Sequence, residues 1–482
     1  MILLDSNLDA VVPLLCVMLS ALAVMAAEAF RAPGEQMPLG GLGLVGLLGA
    51  GVSAIALWGR NASSFDVIVA DNFSLFVTMV LVIVGILTIL FSTPVVERDG
   101  LPKGEYYALV LFSITGMIMM AMANDLLVVF VALEILSLAV YVLTGIRRDD
   151  PRATEAAFKY FLLGAFSSAF FLYGIAFTFG VAGSTRLDRI GAYMAAQAMN
   201  DNPLILVAIG LLLVGFAFKI SAVPFHMWTP DAYEGAPAVV TGFMSTGVKA
   251  AAFAAFTRVF LAAFEPFTAD WAPMVWALAV ATMILGTVVG VAQTNLKRML
   301  AYSSIAHGGY LLVALVSAND VGKAAILFYL LAYAVTNVAA FGVIALLGTR
   351  ERANDELRDF AGLWHTRPAL AALMTVCLLS LGGLPPTAGF IGKWYVFSAA
   401  VSAGYYGLAI IGVLTSVVSV FFYLRVVVMM YMVDRDAALA PPAPVASLGM
   451  AALIVSIAAI FYLGILPSRV LTFAAQSIST IF

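Results

Sequence analysis

The sequence has few charged residues and only two cysteines. Charged residues make up 11% of the 482 residues, 63% are hydrophobic, and the net charge is −3. A soluble protein cannot bury so large an apolar fraction, and so small a net charge gives no basis for binding nucleic acid. Cys16 and Cys377 lie far apart in apolar segments. This spacing fits neither a disulfide framework nor a cysteine metal site, so we expect both to be packing residues.

Motifs that bind nucleotides, haem or iron–sulfur clusters are also missing. The chain has no Walker-type phosphate loop, no dinucleotide-binding glycine pattern, no cysteine cluster and no helix with paired histidines at haem-like positions. We therefore expect that this chain binds no cofactor and no metal, and that it carries out no electron transfer.

Long apolar segments are abundant. A helix needs roughly 20 mostly apolar residues to cross a bilayer, where lipid offers its backbone groups no other partner. The sequence therefore predicts an all-α polytopic membrane protein with about 14 transmembrane helices. The predicted spans are 10–29, 38–58, 72–92, 106–123, 125–146, 156–180, 203–227, 236–262, 272–292, 299–318, 323–348, 369–400, 404–433 and 447–466. The first is preceded by Asp5 and Asp9 rather than basic residues, so we expect a retained span and not a signal peptide.

Basic residues are unevenly distributed between the two sets of loops. Cytoplasmic loops of membrane proteins carry an excess of Lys and Arg. The loops after odd-numbered spans contain thirteen: Arg31, Arg98, Lys103, Arg147, Arg148, Arg152, Lys297, Arg298, Arg350, Arg352, Arg358, Arg367 and Arg435. The opposite loops contain five: Arg60, Arg186, Arg189, Lys323 and Arg469. This bias predicts that the odd-numbered loops face the cytoplasm and that both termini lie on the outer side.

Two pairs of similar segments indicate an internal repeat. EAAFKYFLLGAFSSAFFLYGIA starts at Glu155 and resembles KAAILFYLLAYAVTNVAAFGVI, which starts at Lys323, at an offset of 168 residues. Gly215–Lys219 resembles Gly389–Lys393 at an offset of 174 residues. Together they predict two five-helix units, spans 4–8 and 9–13. Because five is an odd number, the second unit would be inverted in the membrane.

The repeat predicts how the chain is divided. We expect an N-terminal three-helix segment, a first repeat, a second and inverted repeat, and a C-terminal helix with its tail, at residues 1–105, 106–262, 272–433 and 447–482. Proline removes a backbone donor and clashes with the preceding turn, so Pro224 should break span 7, and Pro385 and Pro386 should break span 12. A simple kink is the alternative, but the nearby lysines favour functional breaks.

Ionisable residues inside the predicted spans are the strongest functional indication. Glu134 is the acidic member, and the basic members are Lys159, Lys219, Lys249, Arg258, Lys393 and Arg425. A charge at the bilayer centre costs at least ~2.5–3.5 kcal/mol, so such residues usually have a use. Lysine readily gains and loses a proton as its surroundings change. The sequence therefore predicts a proton path, in which the distance between Glu134 and Lys219 changes how tightly that lysine holds its proton.

Two histidines extend the predicted path. His226 follows Lys219 by seven residues, on roughly the same helical face, and imidazole suits a relay between lysines. The alternative is a hydrogen-bonded residue at a helix end. His307 lies within AYSSIAHGGY inside a span and would bridge the two halves, although a structural role is as good an interpretation. His365 falls in a charged loop, where we expect it to be solvated.

The remaining basic residues allow two interpretations each. Lys159 is close to the cytoplasmic end of span 6, so it either joins the path or extends its ammonium group to the surface. Lys249 lies in the middle of a span among small residues, which favours function. For Arg258, near a span end, we expect extension to the surface. Arg425 is either a repeat counterpart of Lys249 or part of a structural ion pair.

Three acidic residues lie at the ends of predicted spans. Asp125 follows Asn124 at the start of span 5, where capping of the helix N-terminus is the simplest interpretation. Asp231 and Glu234 follow span 7, where they either line an exit or are solvated.

At these motifs the chain resembles a known family. GFAFKISAVPFHMWTPDAYEGAP at 215–237, AYSSIAHGGY and LPPTAGFIGKWYVF resemble the antiporter-like subunits of respiratory complex I, the proton-pumping NADH:quinone oxidoreductase. The resemblance covers spans 4–13, and the first motif is highly specific. Among these subunits the chain is most similar to type N. It ends without the long lateral helix of type L, Lys393 stands where type M typically has glutamate, and PDAYEGAP is typical of type N.

The resemblance implies roles for individual residues. Glu134 would pair with Lys219, Lys249 would be the central lysine, and Lys393 would be the terminal lysine facing the exit. The family also uses the positions of two further residues, Lys159 and His226.

Cofactors and partners follow from the resemblance alone. NADH, FMN, iron–sulfur clusters and quinone would be bound by partner subunits. The partners would be membrane-arm subunits, such as the antiporter-like subunit M and the small subunits K and J, in the bilayer of a bacterial inner membrane.

Two other functions stay open at the level of sequence. Subunits of multisubunit Na+/H+ antiporters and of membrane-bound hydrogenases share the core motifs, and an antiporter would need sodium and work without NADH. A structural spacer is the third interpretation, in which lysine substitutions would impair assembly and leave pumping intact. The leading prediction is a non-redox, proton-conducting membrane subunit.

Overall fold

Helices make up nearly all of the structure, a computed structural model that describes residues 8–32, 37–197, 202–349, 355–434 and 446–481. Four residues used in the sequence argument lie outside the described residues: Asp5, Arg350, Arg352 and Arg435.

The first half of the chain contains ten helices within the described residues. They are α1 (Val12–Phe30), α2 (Leu39–Leu57), α3 (Asn72–Asp99), α4 (Lys103–Met122), α5 (Leu126–Thr144), α6 (Pro151–Ala182), α7 (Leu187–Gln197), α8 (Pro203–Lys219), α9 (Trp228–Gly235) and α10 (Ala238–Ala263). The second half continues with α11 (Thr268–Val291), α12 (Leu296–Ser317), α13 (Asp320–Leu347), α14 (Leu363–Thr366), α15 (Pro368–Gly382), α16 (Ala388–Ser402), α17 (Tyr406–Met432), α18 (Ser447–Ile465) and α19 (Ser468–Ile478). Short 3₁₀ turns lie at Glu265–Phe267 and Leu357–Phe360.

The apolar segments predicted from the sequence form helices. Twelve of the described helices, α1–α6, α10–α13, α17 and α18, are long and apolar enough to cross a membrane by length and composition. Two shorter apolar helices, α8 and α15, end inside predicted spans. The all-α polytopic architecture is therefore confirmed, whereas a total of fourteen crossings stays a prediction.

The predicted breaks lie at the prolines. Between α8 and α9 the chain is non-helical, and Ser221 there has a φ of 64°. Between α15 and α16, Gly383 has a φ of 80°, which glycine adopts without a steric penalty. The Val223–Pro224 and Pro385–Pro386 peptide bonds are cis.

One of the two sequence matches does not hold as a structural equivalence. Gly215–Lys219 ends the helix before the first break, whereas Gly389–Lys393 lies in the helix after the second break. Pairing these segments places their lysines on opposite sides of the two breaks, so the 174-residue match is wrong in detail. The inverted repeat and the domain boundaries derived from it stay predictions.

Some outer elements were not predicted. The strands β1 (Ala62–Ser64) and β2 (Ile68–Ala70) form an antiparallel hairpin. Arg186, just before the amphipathic helix α7, forms ion pairs with Asp66 of the hairpin (2.9 Å) and with Asp188 (2.7 Å). The Arg186 guanidinium lowers the pKa of Asp188 below its usual value. The helices α7 and α19 are too short and too polar to be found by a search for membrane spans.

The centre of the bundle is formed by α10, α12 and α13, which are almost completely buried. Small residues let neighbouring helices approach closely, as is common in membrane bundles. A Cβ atom at Gly286 of α11 would lie 2.7 Å from the backbone nitrogen of Ala306 in α12. A Cβ at Gly309 of α12 would lie 2.6 Å from Met283.

Candidate functional site

Lys219 is the last residue of α8 and is buried among aromatic rings. Its ammonium nitrogen lies 5.4 Å from the ring centre of Tyr141 and 5.6 Å from that of Tyr160, within the range of a cation–π interaction. Trp228 stacks on Tyr160 at 4.0 Å and donates its indole N–H to the carbonyl of Phe218 at 3.0 Å. The same carbonyl also accepts from the backbone N–H of Ser221 at 3.1 Å, so both bonds fix the end of α8. The helix break thus places a lysine in an aromatic pocket.

Glu134, the predicted partner of Lys219, is half-buried on α5 and accepts a 2.5 Å hydrogen bond from the Ser168 hydroxyl. Both Glu134 and Lys219 are described, and they form no ion pair within 4.0 Å. In this conformation aromatic rings therefore occupy the contacts around the lysine, and the direct pairing stays a prediction.

Lys249 is buried at the centre of α10. Two π-helical stretches interrupt this helix, Met244–Val248 and Val259–Ala263, and Lys249 follows the first directly. Such wide turns are frequent at functional sites because they redirect side chains. The ammonium donates to the backbone carbonyl of Ser304 (2.5 Å) and to its hydroxyl (2.7 Å). Lys249 is therefore joined to α12 by oxygen atoms that carry no charge.

His307 lies one helical turn after Ser304 on α12 and is buried. Its Nδ1 atom is 2.6 Å from the Tyr329 hydroxyl, and its Nε2 atom is 3.3 Å from the Tyr423 hydroxyl. The Tyr423 hydroxyl is also 2.5 Å from the hydroxyl of Ser303. An imidazole bonded at both nitrogens can take a proton on one side and release one on the other. His307 thus lies one turn from the serine that holds Lys249, and its role as a bridging residue stays a prediction.

Lys393 is buried on α16, just after the second break. Its ammonium donates to the carbonyls of Leu381 (2.9 Å) and Gly382 (3.1 Å), at the C-terminal end of α15, and to the hydroxyl of Ser416 (2.8 Å). A cation is favoured at a helix C-terminus because the carbonyl ends carry partial negative charge. The Tyr310 ring lies 5.1 Å from the ammonium. The break at Pro385 and Pro386 thus frees the carbonyls that hold this lysine.

Lys159 and His226 lie nearer the surface than the three buried lysines. Lys159 forms ion pairs with Glu155 (2.7 Å) and Asp231 (2.8 Å), and 44% of its side chain is exposed. His226 is half-buried in the first break, and its Nδ1 atom makes no hydrogen bond within the described residues. The position of Lys159 agrees with a side chain that extends to the surface.

The acidic residues after span 7 are paired rather than only solvated. Arg298 forms ion pairs with Asp231 (2.7 Å) and Glu234 (2.8 Å). Lys297, which the sequence assigned to a loop, is buried in the first turn of α12. It forms an ion pair with Asp355 at 3.3 Å. Asp125 caps α5 by accepting from two backbone N–H groups, as predicted.

Two arginines have other partners than expected. Arg258 does not extend to the surface but forms a buried, two-bond ion pair with Asp71, at 2.7 and 2.8 Å. Arg425 makes no ion pair within the described residues. It donates instead to the carbonyls of Val291 (2.9 Å) and Gln293, at the C-terminal end of α11. The expected surface position of Arg258 is therefore wrong. Of the two interpretations of Arg425, the structural ion pair is not found among the described residues.

Hydroxyl-bearing residues of the site were missed by sequence reasoning: Ser303, Ser304, Tyr310, Tyr329, Ser416 and Tyr423. Ser303, Ser304 and Tyr310 are in the motif AYSSIAHGGY, where the spacing of three or four residues from His307 places them on its helical face. That spacing could have identified these three residues from the sequence. The α13 and α17 residues carry no such local indication, because tertiary packing brings them to the histidine. Cys16 and Cys377 are both free thiols.

The site as a whole is a line of buried groups that can hold and pass a proton. Lys219, Lys249 and Lys393 have no carboxylate within 4.0 Å among the described residues. Serine hydroxyls and a histidine with two tyrosine partners lie between the second and third lysine. Within the described part of the chain, no group of three or more His, Cys, Asp or Glu could hold a metal ion.

Comparisons with known proteins agree with the family resemblance. Residues 123–419 match the family described as NADH:quinone oxidoreductase/Mrp antiporter, TM. The chain is 46% identical to the NADH-quinone oxidoreductase subunit N of Trichlorobacter lovleyi, over 98% of each chain. It is 40% identical to the subunit N of Chloroflexus aggregans, over 98% of this chain and 97% of that protein.

Solved structures share the fold. A chain of respiratory complex I from Thermus thermophilus is 36% identical with a TM-score of 0.82, covering 96% of this chain and 99% of that one. A chain of the Mrp complex from Dietzia is 21% identical with a TM-score of 0.85 over 98% of each chain, a likeness of fold alone.

Proposed function

The chain belongs to the subunit N family of NADH-quinone oxidoreductase, and from this membership we propose a route for protons through it. It is an antiporter-like, proton-translocating membrane subunit of that multisubunit enzyme. The proposed route connects Glu134, Lys159, Lys219, His226, Lys249, His307 and Lys393. Protons would leave the cytoplasm near Glu134 and Lys219, cross through Lys249 and His307, and reach Lys393.

The observation that carries this proposal is the set of buried lysines without carboxylate partners. Lys219 lies against aromatic rings, while Lys249 and Lys393 are hydrogen-bonded only by hydroxyl and carbonyl oxygens. Burying an unpaired charge has an unfavourable free energy, so buried ionisable groups in membrane proteins usually have a function. A lysine in these surroundings can gain and lose its proton, whereas an arginine cannot.

Coupling would act through Glu134. Its carboxylate is held by Ser168 and is not in contact with Lys219 in this conformation. A second conformation that brings the two together would tighten the hold of Lys219 on its proton, and separation would release the proton toward Lys249. Quinone reduction elsewhere in the complex would drive this change. NADH, FMN, iron–sulfur clusters and quinone would all be bound by partner subunits.

The surroundings of the chain follow from the same proposal. The excess of basic residues in the odd-numbered loops supports a cytoplasmic position for those loops, with both termini on the outer side of a bacterial inner membrane. We expect contacts with the antiporter-like subunit M and with small membrane subunits such as K and J. The units 106–262 and 272–433 would be the two inverted halves, with 1–105 and 447–482 as additions.

Substitution of Lys219 tests the proposal. In the assembled complex, Lys219→Ala should sharply lower the number of protons pumped per NADH or the coupled turnover, and Lys219→Arg should impair it too, because arginine keeps its proton. The control is Lys103→Ala, an exposed lysine paired with Glu97. Pumping is measured in sealed membrane vesicles and divided by the amount of assembled complex. Full proton stoichiometry in Lys219→Ala would contradict the proposed route.

A further inference from the structure

The proposed route has a gap between His307 and Lys393. The Tyr423 hydroxyl contacts His307, and the Ser416 hydroxyl contacts Lys393, but no hydrogen bond joins these two α17 residues to each other. Positions 416 and 423 are two turns apart, so both side chains face the same side of α17. Whatever links them must lie along that face, between α17 and the helices packed against it.

Two buried hydroxyl groups lie in this gap without partners. Tyr310 of α12 and Thr287 of α11 are each at most 1% exposed, and neither hydroxyl makes a hydrogen bond with the described residues. The Tyr310 ring lies 5.5 Å from the His307 ring and 5.1 Å from the Lys393 ammonium, which itself donates to the Ser416 hydroxyl. Thr287 follows Gly286, which packs directly against Ala306, one turn before Tyr310 in α12. Two orphaned hydroxyls therefore lie on the helices that border the gap in the route.

The donors and acceptors in this cluster have hydrogen-bonding capacity that the described residues do not use. The Ser419 hydroxyl donates to the carbonyl of Ser416 (2.6 Å), and the Thr415 hydroxyl donates to that of Ile411 (2.8 Å). The Ser416 oxygen accepts from Lys393, so its own proton is still free to donate. Buried water typically makes about three hydrogen bonds to polar groups that are otherwise unsatisfied. Tyr310, Thr287 and Ser416 together offer that number.

We propose that Tyr310, Thr287 and Ser416 bind water that carries protons between the His307–Tyr423 pair and Lys393. This inference rests on the proton route proposed above and assigns it two residues, Tyr310 and Thr287. Their role is to position the water. The hydroxyl of Tyr423 would exchange protons with this water on one side, and Ser416 would pass them to Lys393 on the other. The Tyr310 ring lies 5.1 Å from the Lys393 ammonium and so places its hydroxyl group near this lysine.

Tyr310→Phe is the direct test because it removes one hydroxyl and keeps the ring. The ring would keep its edge-on packing against Phe397, at 5.7 Å, and its position beside Lys393. In the assembled complex we expect proton pumping to fall about tenfold or more, since a proton relay contributes at least this much. The solvent deuterium isotope effect on pumping should rise. The control is Tyr106→Phe, whose buried hydroxyl contacts Ser92 in another part of the bundle.

Thr287→Val tests whether Tyr310 and Thr287 bind the same water or act independently. It replaces a hydroxyl by a methyl group of similar size, and Thr178→Val in α6 is its control. If both side chains hold the same water, Thr287→Val should also slow pumping, and the double variant should be no slower than Tyr310→Phe alone. Multiplied losses in the double variant, or loss of assembly without slower pumping per complex, would overturn the inference.

Lys393→Ala distinguishes a failure of the water site from a failure of the proton route as a whole. If Lys393→Ala stops pumping and Tyr310→Phe pumps at the parental rate with the parental isotope effect, the water site is wrong and the route stands. If both variants pump normally, the proposed route itself fails at this lysine.

Discussion

The buried ion pair between Arg258 and Asp71 joins the N-terminal helices to the first predicted repeat. The two residues are 187 positions apart, and their side chains are about 5% exposed. The Nη1 atom of Arg258 donates to Oδ2 of Asp71 at 2.7 Å, and its Nη2 atom donates to Oδ1 at 2.8 Å. Asp71 also caps α3 by accepting from the backbone N–H of Ser74 at 2.8 Å. Arg258→Met would keep a long side chain but leave the carboxylate buried without its counter-ion.

The expected loss is large because of that carboxylate. Removing one partner of a buried pair typically costs about 3–5 kcal/mol, which lowers the ratio of folded to unfolded protein by about 10²–10³. The double variant Arg258→Met/Asp71→Asn should lose much less, because asparagine carries no charge and still caps the helix. A surface pair is worth at most about 1 kcal/mol, so Arg31→Met, which loses a partly exposed contact with Glu28, should have little effect.

The assay is the half-life of the purified complex at raised temperature, together with the amount of this subunit in the membrane. Unfolding of such a protein is expected to be irreversible, so a rate is the appropriate measure of stability. The expected order is Arg31→Met close to the parent, the double variant next, and Arg258→Met clearly the least stable. If Arg258→Met is as stable as Arg31→Met, the reasoning from buried charge is refuted.

Two further substitutions test local packing and helix capping. Gly164→Ala would place a Cβ atom 1.9 Å from the Tyr141 hydroxyl and disturb the aromatic pocket of Lys219. We therefore expect slower pumping per assembled complex. The control is Gly180→Ala in the same helix, which has open space around the new Cβ atom and should be neutral. Arg425→Leu removes two charged hydrogen bonds to the C-terminal end of α11 and should lower the stability of the folded protein by about 1.5–3 kcal/mol. The loss is measured as a shorter half-life at raised temperature. An unchanged half-life would contradict this capping role.

Helix positions were predictable because membrane helices can be identified in a sequence as long apolar segments. The prolines at 224, 385 and 386 located both breaks, since proline cannot continue a helix without losing a hydrogen bond. The amphipathic helices α7 and α19 were missed because they have eleven residues each and mixed polarity. The hairpin at 62–70 was missed because strands of three residues carry almost no periodicity.

The site was predictable as a set of residues but not as a set of contacts. An ionisable residue in an apolar span stands out in any sequence, so the lysines, Glu134 and the histidines were found. Their partners come from distant segments: Arg258 meets Asp71, and His307 meets Tyr423 across 116 positions. Lys297 was assigned to a loop because it lies at the edge of an apolar run, where burial depends on tertiary packing. Contacts between residues so far apart in the chain cannot be predicted from the spacing of residues in the sequence.

The partners of the buried lysines Lys249, Lys297 and Lys393 separate groups suited to carry protons from groups suited to stabilise the structure. Lys297 contacts a carboxylate, which favours its ammonium form. Lys249 and Lys393 each contact a serine hydroxyl, which accepts a hydrogen bond from an ammonium and donates one to a neutral amine. A hydroxyl therefore suits both protonation states, whereas a carboxylate suits one. For the same reason Ser304→Ala and Ser416→Ala should slow pumping, while Asp355→Asn should alter stability rather than proton transfer.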